Sequence, residues 1–148
     1  MDHSKREVFD KSNPTAGEKF FVPLPSDALH YIHHDRMSAD KLFLYQLIID
    51  YYNPIDGHAF PSIDTLSMDY GKSPDTTSNH IDDLKAVGLI DFPEKGYYVP
   101  LVPLPADAFY KEFPDAWTNY RTKYDRYETR RFNARERMRA WRNEKGYT

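Results

Sequence analysis

The most informative absence in this 148-residue chain is cysteine, which does not occur at all. Without a thiol there is no disulfide, no thiolate zinc site and no cysteine nucleophile. Glycine is scarce, with six residues, and no apolar run approaches the roughly 18 residues that a membrane-spanning helix needs. The first residues, 1–19, are polar and lack the apolar stretch of a secretory signal. These absences predict a cytoplasmic protein with no membrane partner.

Sequence motifs that would mark an enzyme are also missing. The chain has no glycine-rich phosphate loop, no nucleophile elbow and no HExxH motif. His30, His33 and His34 cluster beside Asp35, but no matching group elsewhere in the sequence completes a set of metal ligands. We therefore expect a binding protein rather than an enzyme, with no metal and no cofactor.

What the chain does have is charge that is unevenly distributed. Its formal net charge is −3, from 20 lysines and arginines against 23 aspartates and glutamates. Residues 121–148 hold ten of the bases and four of the acids, a net charge of +6, which leaves −9 for residues 1–120. The chain is thus an acidic body with a basic tail, and a tail of this kind is typical of contact with phosphates.

Two helices joined by a tight turn are predicted between residues 62 and 88. Ser62 and Ser73 are candidate N-caps, and Gly71 supplies the turn between the helices. Pro74 takes the first position of the second helix, where its missing N–H has no consequence. Inward positions recur along that helix at spacings of 4, 3 and 3, namely Thr77, Ile81, Leu84 and Val87.

A β-hairpin is predicted directly after these helices. Gly88 ends the second helix, Leu89–Phe92 and Tyr97–Leu101 are the two strands, and 93–96 is the turn. An apolar helix capped by Ser38 is predicted before them, over residues 39–52. This is the outline of a winged helix-turn-helix, a mainly α fold with a small antiparallel β-sheet. The predicted divisions are a flexible arm (1–18), the winged domain (19–105) and a basic helical extension (106–148).

A short sequence is repeated on either side of the two predicted helices: VPLPSDAL at 22–29 and VPLPADAF at 102–109. Each copy follows a predicted strand, 19–24 or 97–101, and leads into a helix with aspartate in its first turn; Ser26 is the candidate cap of the first. Two interpretations stay open. Either both copies leave strands of one sheet, the first strand lying beside the return strand of the wing, or they share local structure without being neighbours.

The segment FPSIDTLSMDYGKSPDTTSNHIDDLKAVGLI, residues 60–90, resembles the winged helix-turn-helix domain of plasmid and phage replication proteins from Gram-positive bacteria, including initiators and DnaD-like proteins. The features that match are Phe60-Pro61-Ser62, Leu66, Gly71, Ser73, Thr76, Ile81, Leu84 and Gly88-Leu89-Ile90, preceded by Ser38, Ala39, Leu42, Tyr45 and Leu47. The resemblance spans about residues 20–102. It implies sequence-specific binding of double-stranded DNA in replication initiation, inside a bacterial host, with replication proteins as further partners. A transcriptional regulator of a mobile element and a winged-helix protein-protein adaptor are the alternatives.

The second helix of such a domain enters the major groove. Asn79 is the best candidate for base readout, because an amide can bond both N6 and N7 of adenine. The predicted DNA-binding residues of the domain are Lys72, Ser73, Asp75, Thr76, Ser78, Asn79, Lys85 and Lys95. The family often carries arginine or lysine after the cap and in the middle of this helix, where this chain has Pro74, Asp75, Asn79 and Asp82. The helix itself is therefore not basic.

The tail predicts one long helix over residues 115–143, on the order of 40 Å long. Along it, a seam repeats at spacings of 4 and 3: Phe113, Trp117, Tyr120, Tyr124, Tyr127, Arg131, Ala134, Met138 and Trp141. The predicted homodimer contacts are Trp117, Tyr120, Tyr124, Tyr127, Met138 and Trp141. The predicted phosphate contacts are Arg126, Arg130, Arg135, Arg137, Arg139 and Arg142. Two alternatives remain, that the aromatic residues pack on the body of the same chain, and that the arginines pair with Glu128, Glu136 and Glu144.

Overall fold

The computed structural model describes residues 9–10, 12, 22–53, 58–59, 61–94 and 97–147. Its helices are a 3-10 helix (Ser26–His33), α1 (Ala39–Tyr51), α2 (Ile63–Tyr70), α3 (Pro74–Ala86), α4 (Ala106–Glu112) and α5 (Pro114–Lys145). Its strands are β1 (Tyr52–Asn53), β2 (His58–Ala59), β3 (Ile90–Glu94) and β4 (Tyr97–Pro100). This order confirms the predicted fold class, a winged helix-turn-helix followed by a long C-terminal helix. The predicted arm, 1–18, lies almost wholly outside the described residues.

The sheet is small, and its strands run in the order β1-β2-β4-β3 with antiparallel neighbours. Ala59 of β2 lies opposite Tyr98 of β4, and Ile90 of β3 lies opposite Pro100. Tyr98 and Ile90 are buried, so this sheet closes one side of the helical core. The hairpin of β3 and β4 is the predicted wing, and its tip, residues 95–96, is outside the described part of the chain.

Helix α1 lies at the centre of the core, as its nearly continuous apolar sequence predicts. Leu44, Tyr45 and Ile48 are all buried, and α1 packs on both α2 and α3. The Tyr45 hydroxyl donates a hydrogen bond to the Leu101 carbonyl oxygen at 2.6 Å, which ties α1 to the segment after β4. Burial raises the pKa of Tyr45 to about 12, so the phenol stays protonated as that donor.

Three of the predicted helix caps are confirmed. The hydroxyl oxygens of Ser38, Ser62 and Ser73 each accept a hydrogen bond from the backbone N–H three residues later, at 3.3, 3.1 and 3.2 Å. The prediction for Ser26 is wrong. The 3-10 helix already begins at Ser26, and the residue at its N-cap is Pro25, which has no side-chain acceptor to offer.

The two repeated segments meet in space, but through their helices and not through a sheet. The strand predicted over 19–24 is wrong for residues 22–24, which are irregular, while residues 19–21 are outside the described range. The helices that follow the two copies pack together, with the rings of Tyr31 and Phe109 only 4.3 Å apart between centroids. His30 Nε2 donates to the Leu104 carbonyl at 2.7 Å, and the Leu104 N–H donates to the Tyr31 hydroxyl at 2.8 Å. Neither interpretation of the repeat is therefore correct.

Helix α5 is attached to the body only through its first two turns. Ala116 is its one buried residue among those described, and the Asn119 amide donates to the His33 carbonyl at 2.9 Å and to the Asp35 carboxylate at 2.8 Å. After Tyr120, the described side chains are exposed except for Glu128 and Glu136, which are half-buried. The greater part of α5 therefore leaves the body as a single helix.

Candidate nucleic-acid interface

The turn between α2 and α3 fixes where α3 begins. Gly71 ends α2 in the left-handed region, at φ +73°, a conformation that glycine adopts without strain. The Ser67 carbonyl accepts hydrogen bonds from the Gly71 N–H at 2.8 Å and the Lys72 N–H at 3.3 Å, so one carbonyl of α2 fixes both residues of the turn. The inner face of α3 is the one predicted, with Thr77, Ile81, Leu84 and Val87 all buried.

The outer face of α3 carries polar side chains at helical spacing. Asp75, Ser78, Asn79 and Asp82 are all exposed there. Within the described residues, neither the Ser78 hydroxyl nor the Asn79 amide is hydrogen-bonded, so both can bond to an external partner. The structure thus places Ser78 and Asn79, two of the uncharged candidates for DNA contact, on one exposed surface.

Ser73 and Thr76 have a second task at the start of α3. The Ser73 hydroxyl accepts from the Thr76 N–H and donates to the Thr76 hydroxyl at 3.0 Å. Both side chains therefore hold the first turn of the helix, and Thr76 is half-buried. A DNA contact by either residue would have to form alongside this cap.

The acidic residues of the body largely neutralise the bases near α3. Lys72 Nζ lies 3.0 Å from the Asp40 carboxylate, so one predicted phosphate contact is already paired. Lys85 is exposed, and Lys95 lies outside the described residues. Asp75 favours the helix dipole at the first turn but repels phosphate. The domain therefore offers specific hydrogen-bonding groups with little net positive charge.

An ion-pair cluster that no sequence pattern predicts joins α1 to α3. Asp83 lies 2.9 Å from Lys41 Nζ and 3.8 Å from Arg36 Nε, and Lys41 also donates to the Arg36 carbonyl at 2.6 Å. Lys41 and Asp83 are mostly buried, where ion pairs are screened less than at the surface. This cluster links α3 to the central helix and pairs two bases with one carboxylate.

His80 adds no positive charge to α3 at neutral pH. Burial, and then Lys41, lower the pKa of His80 below its ordinary value. Its Nδ1 is 2.9 Å from the hydroxyl of Tyr70, whose own pKa burial raises to about 12. The pair therefore links α2 to α3 as two neutral groups.

Three of the eight arginines of α5 are already paired with carboxylates of the same helix. Three ion pairs form within the helix, Arg121–Asp125 at 3.2 Å, Arg131–Glu128 at 3.3 Å and Arg139–Glu136 at 3.1 Å. The predicted pairing of arginines within their own helix is thus confirmed for Glu128 and Glu136. Arg139, a predicted phosphate contact, lies on this neutralised face.

The remaining bases of α5 form two rows on different sides of the helix. Among the described residues, no carboxylate pairs with Lys123, Arg126, Arg130 or Arg137, whose spacings of 3, 4 and 7 place them on one face. We call these four residues the basic row. Arg135 and Arg142 are also unpaired, but at 3.6 residues per turn they lie on roughly the opposite side. A straight helix can therefore present only one of the two rows to a DNA backbone.

The aromatic seam of α5 divides into two parts. Trp117 and Tyr120 pack on Tyr110 of α4, with ring centroids 5.2 and 5.8 Å away, as the intrachain alternative predicts. Further along, the seam is uncovered within the described residues, and Tyr127, Met138 and Trp141 are 54%, 55% and 49% exposed. Among the described aromatic rings, Trp141 is stacked only on Tyr147 from the same end of the helix, at 5.7 Å. The homodimer prediction therefore applies to this second part.

The histidine cluster serves packing in this structure. His30 lies against Phe109, His33 against Tyr120 and His34 against Phe113, at 5.0, 5.2 and 4.7 Å between ring centroids. In the part of the chain that the structure describes, no three histidine or acidic side chains are placed to hold a metal ion. No helix in that part is long and apolar enough to cross a membrane.

A comparison with known proteins identifies the same region as a helix-turn-helix. Residues 35–90 match the model of a family described as "Helix-turn-helix domain". A search of curated proteins and a search of solved structures found no significant match. The matched residues run from just before α1 to the first residue of β3, and they include α2, the Gly71 turn and α3. The chain therefore contains a helix-turn-helix domain, a domain type that suggests DNA binding.

Proposed function

We propose that the protein binds double-stranded DNA sequence-specifically, with α3 in the major groove and the basic row of α5 on the phosphate backbone. The observation that carries the proposal is the outer face of α3, where Ser78 and Asn79 are exposed and have no hydrogen-bond partner in the described chain. A helix-turn-helix uses this face of its second helix to read base edges. The protein is then a binding protein that needs neither catalysis nor a cofactor.

Asn79 is the residue we assign to base readout. Its amide both donates and accepts, which matches the N6 donor and N7 acceptor of adenine. Ser78, its neighbour, can reach either a base or a phosphate. Because the inner face of α3 is fixed by Thr77 and Ile81 in the core, the approach of Asn79 to a base is set by the fold.

Affinity has to come from elsewhere, because the body is acidic. Residues 1–120 carry a net charge of −9, and Asp75 and Asp82 flank Asn79 on the exposed face. Phosphate contacts by lysine and arginine supply most of the sequence-independent affinity of DNA-binding proteins. The basic row of α5 is the largest set of unpaired bases in the described residues, and we assign it the role of anchor.

The role in replication initiation on a plasmid or phage rests on the resemblance of residues 20–102 to replication proteins. A transcriptional regulator would use the same α3 surface, and the geometry favours neither. The DNA site that the protein binds most tightly would distinguish the two roles. Tight binding at the replication origin of the source element supports the first, and tight binding only at a promoter supports the second.

The experiment that tests the proposal begins with selection from a random-sequence duplex library, followed by affinity measurements on the selected site and on random DNA. Asn79→Ala should weaken binding to the selected site by about 1–3 kcal/mol and change binding to random DNA little, because only base readout is lost. Failure to select any sequence would contradict the proposal. Equal losses on both DNAs would remove Asn79 from base readout.

A second candidate function is a protein-protein adaptor, favoured by two exposed carboxylates on the outer face of α3. Asp75 and Asp82 are exposed without an ion pair in the described residues, and this suits a basic protein surface better than DNA. Salt titration on duplex DNA separates the two functions. DNA binding through several phosphates weakens steeply with salt, whereas an adaptor shows no duplex binding to titrate.

A further inference from the structure

The uncovered part of the α5 seam is an apolar row that no other helix or strand covers in the described chain. The row has the same 4-and-3 spacing as the first turns of α5, which pack on α4. The exposed residues therefore lie on the same face of the helix as the covered ones. Tyr127, Ala134, Met138 and Trp141 form this row. DNA backbone contacts leave such a row exposed, since they bond to phosphates and bury little apolar surface. A second helix would cover it.

The residues on either side of this row decide which helix fits. In a coiled coil, the positions that flank the apolar seam face the flanking positions of the partner. Between residues 130 and 142 every flanking position is arginine, with Arg130 and Arg137 on one side and Arg135 and Arg142 on the other. All four arginines are exposed and lack an ion pair in the described chain. From residue 130 onward the seam is thus bordered by positive charge on both sides, and Glu128, which flanks Tyr127, is paired with Arg131 of the same helix at 3.3 Å.

This arrangement disfavours a second copy of the chain as the partner. In a parallel pair, Arg130 would face Arg135 of the other copy, and Arg137 would face Arg142. In an antiparallel pair, each flanking row would face itself, again arginine against arginine. Arg131 also lies inside the seam, but Glu128 of the same helix pairs with it at 3.3 Å, so the repulsion comes from the four flanking arginines. Like charges at paired positions are destabilising in either orientation.

We propose that the exposed seam of α5 binds an acidic amphipathic helix of another protein, as a heterotypic coiled coil. Its carboxylates would pair with Arg130, Arg135, Arg137 and Arg142, and its apolar side would cover Tyr127, Met138 and Trp141. Arg131, which lies over the ring of Tyr127 at 5.6 Å, is already paired with Glu128 at 3.3 Å, so the partner's seam needs no carboxylate opposite it. The proposal stands apart from the proposed DNA function, but the two share Arg130 and Arg137. The acidic helix and DNA therefore compete for α5.

The first test uses synthetic peptides of about 28 residues, or four heptads, and the full chain. One peptide has leucine at the seam positions and glutamate at the flanking positions. A second has the same composition in scrambled order, and a third has lysine in place of the flanking glutamates. Calorimetry should show a 1:1 complex with the first peptide, affinity lower by about tenfold or more for the second, and no complex with the third. Equal affinity for the first two peptides would overturn the proposal, because it would show attraction of charge alone.

Variants of the chain provide the second test. Tyr127→Ala with Met138→Ala should weaken binding of the acidic peptide by about tenfold or more, while alanine keeps α5 helical by circular dichroism. Arg135→Gln with Arg142→Gln should weaken it as well. Arg126→Gln with Arg139→Gln is the matched control, because it removes the same charge at positions away from the seam. Equal weakening in these two arginine variants would overturn the proposal. So would light scattering that shows the chain to be a dimer through this seam with or without the acidic peptide.

Discussion

The proposed anchoring role of α5 can be tested by removing the same charge from two faces of one helix. Arg126→Gln, Arg130→Gln and Arg137→Gln together change three arginines of the basic row, which are unpaired in the described chain. The matched variant changes Arg121, Arg131 and Arg139, which are paired with carboxylates of the same helix at 3.2, 3.3 and 3.1 Å. Both variants lose three formal charges from exposed arginines. They differ in whether those charges are free to contact phosphate.

The expected magnitude follows from the number of contacts. Each phosphate contact contributes about 0.9 to the slope of log affinity against log salt, so three contacts contribute about 2.7. Between 50 and 200 mM salt, that slope corresponds to a loss of roughly 40-fold in affinity, which the first variant no longer shows. The three arginines extend over about 16 Å of helix axis, so they can meet successive phosphates of one strand. The paired arginines should lower the slope much less.

The assay is fluorescence anisotropy on random-sequence duplex DNA at a series of salt concentrations, so that base readout does not enter. Circular dichroism checks that α5 stays helical in both variants. Equal slope changes in the two variants would refute the assignment, since net charge alone would then explain binding. An unchanged slope in both variants would show that α5 is not the anchor and that bases elsewhere in the chain contact the phosphates.

Three further predictions concern the body. Phe109→Ala should lower the free energy of unfolding by about 3–5 kcal/mol in urea denaturation, because the ring is fully buried against Tyr31; a loss below 1 kcal/mol would contradict that packing. Thr77→Val should raise it by about 1 kcal/mol, because the buried Thr77 hydroxyl has no partner in the described chain; a lower urea midpoint would point to a bonded hydroxyl. Burial, and then Lys123, lower the pKa of His33, so the folded state binds fewer protons than the unfolded state. Stability should then be complete above the ordinary histidine pKa of about 6.5 and should fall as the pH drops below it. In thermal melts at a series of pH values, His33→Gln should make the melting temperature fall less steeply as the pH drops. An identical dependence on pH would show that His33 does not contribute to it.

Local features of the domain could be predicted because their causes lie within a few residues. The Ser62 and Ser73 caps, the glycine turn at Gly71 and the buried face of α3 all depend on residues within one or two helical turns. A cap needs its hydroxyl and an N–H three residues later, and both are visible in sequence. The wing followed from the same kind of pattern, since Gly88 ends α3 and two short apolar runs follow.

Tertiary contacts explain what the sequence did not show. Asp83 pairs with Lys41 across 42 residues of chain, and no spacing rule links charges that far apart. The repeated VPLP segments looked like strand ends because proline stops a strand. In the structure, Tyr31 and Phe109 instead pack the two following helices together. Whether a side chain such as Lys72 is free for DNA depended on Asp40, which only the fold brings to it.

Asn119 attaches α5 to the body, and the part of α5 beyond this joint projects as a long arm. There, the Asn119 side-chain amide bonds to both the 3-10 helix and Asp35. About 26 residues of helix extend beyond Asn119, roughly 39 Å. A rotation of about 10° at this joint would move the far end of the arm by about 7 Å, which is close to one step between neighbouring phosphates along a strand. In the proposed binding mode, such a rotation would change the distance between the base that α3 reads and the phosphates that α5 contacts. The proposed pair of surfaces would then fit duplexes of different local curvature without any change inside the domain.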